Sequence, residues 1–180
     1  PFNVDEHNNI YAIKQTDEAP IIYQPYADDH PLTNHQTTQD LLSKQAATQY
    51  PISVAIIDID HFKQINDNHG HLIGDKVLCQ LAQLLQNQMR NDDLLARWGG
   101  EEFVILFRIE KPQDATSFAE KIRLQIASTP FAGSLRLPLT ISIGISLMHE
   151  RENFEITFKR ADQALYAAKR NGRNQIKMAD

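Results

Sequence analysis

Two apolar runs, Leu94–Trp98 and Phe103–Ile109, are separated only by Gly99-Gly100-Glu101-Glu102. A link this short joins antiparallel neighbours, so the pair is expected to form a β-hairpin. The glycines let the turn pass close to a bulky ligand with no side chains in the way. Glu101 and Glu102 then sit at the tip, held by a strand that the run Val104-Ile105-Leu106-Phe107 buries. Carboxylates and bare backbone at the end of a buried strand suit a metal–phosphate site. An ordinary turn with solvated acids fits the same four residues.

The hairpin sits inside a longer alternation. Ser53 to Asp60 reads as a buried strand ending in two acids, and a helix follows from about Lys76 to Met89, with Val77, Leu78, Leu81, Leu84, Leu85 and Met89 at helical spacing. After the hairpin, Asp114 to Ser128 reads as a helix with Phe118, Ala119, Ile122 and Ile126 inward and Asp114 as its N-cap. Leu139 to Met148 is a strand. Thr157 to Asn171 is a helix with Phe158, Ala161, Leu165 and Ala168 inward and Gly172 as its stop. Gln175 to Met178 closes as an edge strand. The order β-α-β-β-α-β followed by α-β predicts an α+β, ferredoxin-like (split βαβ) fold, with a mostly antiparallel central sheet flanked by helices. First and third strands are neighbours in that topology, so Asp58–Asp60 and the Gly99–Glu102 turn are expected to face one another.

Residues 1–31 differ: they are polar, carry Pro20, Pro25 and Pro31, and show two short strand-like patches, Ile10–Ile13 and Ile21–Tyr23. They read as a linker or the tail of an upstream sensor domain, with one domain over 32–180; Thr33 to Gln49 is a weakly patterned helix. The first residue is Pro1, consistent with a piece of a longer protein. At 180 residues and 42% hydrophobic content the chain fills one core. A net charge of −5 with a pI near 5.8 argues against binding a nucleic-acid backbone. The lone Cys79 is expected to be a core residue in a reducing, cytoplasmic setting. No run reaches the roughly 18 apolar residues of a membrane span, so no membrane contact is expected from this segment, although the parent protein is free to be membrane-attached.

Asp58 and Glu101 would bring two carboxylates to one point, near backbone carbonyls such as that of Ile59. Hard oxygen donors suit Mg²⁺, with Mn²⁺ as an alternative, and the seven scattered histidines offer no zinc set. Taken alone, Asp58 also fits as a helix N-cap just past the strand. Between strand and helix lie Asn66 and Asp75, a carboxamide and a carboxylate equipped to read guanine, with Gly70 and Gly74 permitting a tight path. Asp75 also suits an N-cap for a helix beginning at Lys76. Lys169 and Arg173 are placed to reach phosphates from one face, or to complement a helix C-terminus.

The ordered set Asp58-Ile59-Asp60-His61-Phe62-Lys63, Asn66-Asp67, Gly70-His71, Gly74-Asp75 and Gly99-Gly100-Glu101-Glu102-Phe103 resembles the GGDEF domain of diguanylate cyclases. The tail Arg160–Asn174 resembles it too, and the match covers roughly residues 32–178. The resemblance implies a fold shared with nucleotide-cyclase and polymerase palm domains. It implies a cyclase that joins two GTP into cyclic di-GMP and releases pyrophosphate, with one GTP on each of two facing copies in a homodimer. By position, Asp58, Glu101 and the Ile59 carbonyl are the implied metal ligands, and Glu102 supports the metal or takes the 3′-hydroxyl proton. Asn66 and Asp75 are the implied guanine readers. Phe62, through backbone N–H groups nearby, Lys63, Lys169 and Arg173 are the implied phosphate contacts, beside Gly99 and Gly100. Arg90-Asn91-Asp92-Asp93 is similar to the family's RxxD product-inhibition motif, with Arg90 and Asp93 the implied cyclic di-GMP contacts; alone it is a solvated turn. Where the family shows Asp-x-Leu-Thr-Gly-Leu-x-Asn-Arg, this chain has His30-Pro31-Leu32-Thr33-Asn34-His35-Gln36-Thr37-Thr38 and keeps only Pro-Leu-Thr. Two other readings stand beside the enzyme: a non-catalytic module that binds GTP or cyclic di-GMP for signalling, and a palm domain for another nucleotide.

Overall fold

The computed structural model describes residues 12–14, 21–23, 52–90, 93–108 and 111–179, the first two segments in backbone only. There β1 (Ala12–Lys14) and β2 (Ile21–Tyr23) pair antiparallel, close to the two strand-like patches. The expected helix over 33–49 and the eroded motif at 30–38 lie outside the described residues.

The main sheet contains β3 (Ser53–Ile59), β4 (Leu94–Gly99), β5 (Glu102–Phe107), β6 (Ile141–Leu147) and β7 (Ile176–Met178) in the order β4-β5-β3-β6-β7. All pairs are antiparallel except β6 with β7. The split βαβ arrangement is therefore as expected, with β3 between β5 and β6 and the edge strand added last.

Side-chain alternation along the strands sorts the core into two halves. Ala55, Ile57 and Ile59 of β3, with Phe103, Ile105 and Phe107 of β5, face α2 (His71–Gln86) and α3 (Pro112–Ser128). Val54 and Ile56, with Val104 and Leu106, face α4 (Phe154–Arg170). The same parity directs Asp58, Asp60 and Glu102 to the α4 side. On β6 the residues of that parity are Ser142, Gly144 and Ser146, all small. A Cβ built on Gly144 would lie 2.1 Å from the Ala161 carbonyl oxygen and 2.2 Å from the Leu165 nitrogen, so backbone packs directly on backbone here.

Helix starts differ from the sequence reading. The segment before Lys76 is helical: it forms α1 (Phe62–His69), and α2 begins at His71. Only Phe62 and Ile65 of α1 meet the core, too few to show as periodicity. Gly70, at φ +82°, breaks the chain between the two helices. Asp75 is thus inside α2 and caps nothing, and Met89 lies beyond that helix's end. Asp114 is not the cap of α3 either. Lys111 holds that place and Pro112 opens the helix, leaving Asp114 in the first turn, where its charge suits the helix dipole. α4 starts three residues earlier than expected, capped by Asn153, whose side chain accepts from the Ile156 N–H at 3.0 Å. Its stop is as read: Gly172 has φ +109°, and the Arg173 N–H bonds the Ala168 carbonyl at 3.1 Å in a Schellman-type closure.

Candidate active site

β3 and β5 deliver the acids together. Asp58 and Glu102 are register partners across the sheet, and the Ile59 N–H reaches the Glu101 carbonyl at 3.4 Å, closing the hairpin tip onto the end of β3. Gly100, at φ +38°, makes that tip, and the Arg97 Nε–H donates to the Gly100 carbonyl at 2.9 Å. From the facing helix, Lys169 Nζ lies 2.7 Å from Asp58 Oδ2 and 3.9 Å from Glu102 Oε1. Asp58 is a strand-end acid in an ion pair, not an N-cap.

One ammonium against three acids leaves the cluster short of positive charge. Asp58 is only 7% exposed, and burial pushes its carboxyl up to about 6, against the pull of Lys169 and with added repulsion from Glu101 and Glu102. Glu102 is also raised, first by burial, with Asp162 and Glu101 adding repulsion against Lys169. Among the described residues no three His, Cys, Asp or Glu side chains converge closely enough to ligate a metal by themselves. The donor set fits a hard cation that takes its remaining ligands from phosphate and water.

The raised carboxyl sets a pH dependence. The unfolded chain loses the Asp58 proton near 3.8, whereas the folded chain holds it to about 6. Ionising Asp58 therefore opposes folding, and its contribution to stability declines as pH rises through that window. Without added metal, Asp58→Asn is expected to melt higher than the wild type at pH 7, with the gain fading toward pH 4. A gain of equal size at both pH values, read by thermal unfolding, would show that Asp58 titrates normally.

The α1–α2 corner builds a second feature. Asn66 Oδ1 is buried with no hydrogen-bond partner, and it sits over Gly74, where a Cβ would lie only 1.9 Å from it. A buried acceptor left unpaired costs about 1–3 kcal/mol, so this amide is a poor structural device and a good candidate for ligand contact. Asp75, half-buried, follows Gly74 directly. At the start of α1, His61 is left-handed (φ +59°) and no side chain caps the helix, so its first N–H groups, those of Phe62 and exposed Lys63, offer donors to an anion. Arg173 is exposed at the end of α4.

Arg90 and Asp93 lie elsewhere. The Arg90 N–H donates to Asp93 Oδ2 at 2.8 Å and the Asp93 N–H to the Arg90 carbonyl at 3.1 Å, closing a turn before β4. The length of β4 puts them roughly 20 Å from the hairpin tip, at about 3.4 Å per residue. Cys79 is half-buried against the core, with its thiol raised chiefly by burial.

Sequence reasoning passed over Asp60. It is 5% exposed and accepts hydrogen bonds from the Ser142 hydroxyl at 2.7 Å, the Thr140 hydroxyl at 2.8 Å and the Asn174 N–H at 2.9 Å. Its spacing of two from Asp58 put it on the same sheet face, the one signal available.

The family described as "Diguanylate cyclase, GGDEF domain" matches residues 32–175. The diguanylate cyclase DgcM of Escherichia coli is 46% identical over 124 residues, covering 69% of this chain and 30% of that protein. This chain spans under a third of the length of the curated relatives it matches. The active GGEEF domain of a diguanylate cyclase from Vibrio cholerae superposes with a TM-score of 0.74 at 36% identity, over 83% of this chain and 98% of that one. The GGDEF domain of DgcB from Caulobacter crescentus, solved in complex with c-di-GMP, superposes at 0.75 with 33% identity, over 82% and 89%. With residues 32–175 matched to that family and the fold shared with its solved domains, the chain belongs to the GGDEF domain family of diguanylate cyclases.

Proposed function

We propose that this chain condenses two GTP molecules into cyclic di-GMP, releasing two pyrophosphates, as one half of a homodimer. The observation that carries this reading is the meeting of Asp58, Glu101 and Glu102 with Lys169 at one strand end, beside an α1–α2 corner holding an unpaired amide. Residues 32–180 are the catalytic unit in this reading, and residues 1–31 connect it to a sensor.

A divalent cation, Mg²⁺ or Mn²⁺, held by Asp58, Glu101 and the Ile59 carbonyl, would neutralise charge on the phosphates of the bound nucleotide. Asn66 and Asp75 hold guanine, whose N–H groups match a carboxylate and an unpaired carbonyl. Lys169, Arg173, Lys63 and the first N–H groups of α1 hold the triphosphate, beside the open Gly99–Gly100 backbone. Lys169 leaves its pairing with Asp58 as the phosphates arrive. Glu102, raised by burial, is suited to take the 3′-hydroxyl proton. Each hydroxyl attacks the α-phosphate of the GTP on the partner copy, so positioning two half-sites supplies much of the rate.

The test is incubation with GTP and Mg²⁺, with the chain dimerised through a fused coiled coil, and chromatographic resolution of products. Absence of cyclic di-GMP and pyrophosphate at high enzyme concentration would sink the reading; nucleotide binding without turnover would indicate a signalling module instead.

Gly74→Ala probes the guanine corner. Alanine inside a helix usually stabilises it by roughly 0.5–1 kcal/mol. Here the new methyl displaces the Asn66 carboxamide, so the expected result is an unchanged or higher melting temperature with about tenfold weaker GTP binding, the loss of about one hydrogen bond. Equal affinity in a calorimetric titration would remove Asn66 from the guanine site.

Arg90 and Asp93 are proposed to bind product for feedback inhibition. Asp93 already fixes the turn that presents Arg90, and the complex of the related DgcB domain with c-di-GMP supports such a ligand. Arg90→Ala should weaken cyclic di-GMP binding with turnover in product-free buffer unchanged. Unaltered binding would refute the role.

A further inference from the structure

We propose that Asp60 is a positioning residue for triphosphate recognition: it holds the loop after α4 in a left-handed path that presents Arg173 to the phosphates. The proposal rests on the functional reading above, because it assigns a role within that same site.

The loop is the unusual object. Three consecutive residues have positive φ: Gly172 at +109°, Arg173 at +62° and Asn174 at +45°. Glycine takes such a value readily, but a residue with a side chain does so at a cost, and two in succession persist only where their surroundings over-determine them. Asp60 supplies the restraint at the backbone, accepting the Asn174 N–H at 2.9 Å. Arg123 supplies a second at the side chain, with its Nη1 donating to Asn174 Oδ1 at 2.7 Å while it is also bound to Glu120. The Schellman-type bond from Arg173 to Ala168 ties the loop back to α4.

Asp60 is chemically suited to this work and poorly suited to simple packing. A buried carboxylate is expensive unless several donors meet it. Here two oxygens receive three donors, from two hydroxyls on the β6 side and one backbone amide from a segment 114 residues away. The hydroxyls could find other acceptors by rotating; the Asn174 amide is fixed in direction and has no such freedom. Because Asp60 follows Asp58 by two residues on the same side of β3, the root of Arg173 is anchored beside the acid cluster. Lys169, one turn earlier on α4, already reaches Asp58. The two cations thus approach from one rigid corner.

Binding of the full chain to guanosine 5′-(α,β-methylene)triphosphate and to GMP, both with Mg²⁺, separates this role from a merely structural one. Asp60→Ala is expected to weaken the triphosphate about tenfold and to leave GMP within about twofold, because the Asp60 side chain bonds Thr140, Ser142 and Asn174 and no residue of the guanine corner. On an Arg173→Ala background, Asp60→Ala should add less than about twofold, since its effect passes through the guanidinium. Asp60→Asn, which keeps one acceptor, should fall between. If the alanine variant does not fold, the asparagine variant decides on the same ratio. A wild-type ratio of triphosphate to GMP affinity in the folded variant, or effects of Asp60 and Arg173 that simply add, would overturn the proposal. A wild-type chain with no preference for triphosphate over GMP would overturn the reading of the site itself, and this inference with it.

Discussion

Glu101→Ala should end cyclic di-GMP production while leaving the melting temperature nearly unchanged. The two halves of that result have separate causes. Glu101 serves the fold through its backbone: its carbonyl receives the Ile59 N–H, and alanine keeps that carbonyl. Its side chain sits half-exposed at a hairpin tip, where truncation removes no core contact. The carboxylate is another matter. Replacing even an outer partner of a metal ligand lowers activity or affinity about 10–100-fold, so removing a proposed ligand should cost at least the upper end of that range. Glu102→Ala should also abolish product, but for a different reason. Its side chain lies nearer Lys169 and the partner strand, so Mn²⁺ binding, followed by calorimetry, should fall strongly in the first variant and only modestly in the second. Product formation that survived Glu101→Ala would show the metal assignment to be wrong.

Gly144→Ala is expected to have the largest effect on stability. The new Cβ would meet the Ala161 carbonyl oxygen at 2.1 Å, the Leu165 nitrogen at 2.2 Å and the Leu165 Cα at 2.8 Å. None of these is the end of a side chain that can swing aside; all are backbone of α4. Overpacking usually costs about 1–3 kcal/mol when side chains can adjust. With a helix backbone in the way, about 3 kcal/mol or more is expected, a fall in Tm of roughly 10 °C for a domain of this size. Thermal unfolding reads it directly, and a loss below about 1 kcal/mol would mean that α4 can lift from β6 without harm. Gly74→Ala is the internal contrast. The same methyl there meets side-chain ends, the Asn66 carboxamide at 1.9 Å and the Phe62 ring edge at 3.2 Å, which can turn aside, so stability is expected to survive and the ligand contact to suffer.

These two glycines show what a sequence reveals and what it hides. β3, β5 and β6 were legible because their runs are buried on both faces, and the order of elements then required β3 to lie beside β5. The acids were legible because each ends such a run. α1 was not, since Phe62 and Ile65 alone anchor it and its other positions are polar. Helix starts slipped by two to five residues at α2, α3 and α4 because their first turns mix polar residues with apolar ones that stay exposed, such as Leu72 and Ile156, and so break the apolar rhythm. Asp60 and Gly144 were hidden for another reason: their partners come from 82 and 114 residues away in one case and from a facing helix in the other. Spacing along the chain carries no trace of such meetings.

The glycine-and-serine seam between β6 and α4 also bears on how a chain like this is governed. A helix seated on strand backbone has little room to slide or tilt, so the α4 backbone that carries Lys169 is held against the sheet. A site carried on such a backbone is not readily throttled by small internal adjustments. On the proposed reading, in which two facing copies make one product, control passes to encounter: how often the two copies face each other, and for how long. Any element that set the distance between two such copies would then govern the proposed reaction without a wire into the catalytic residues.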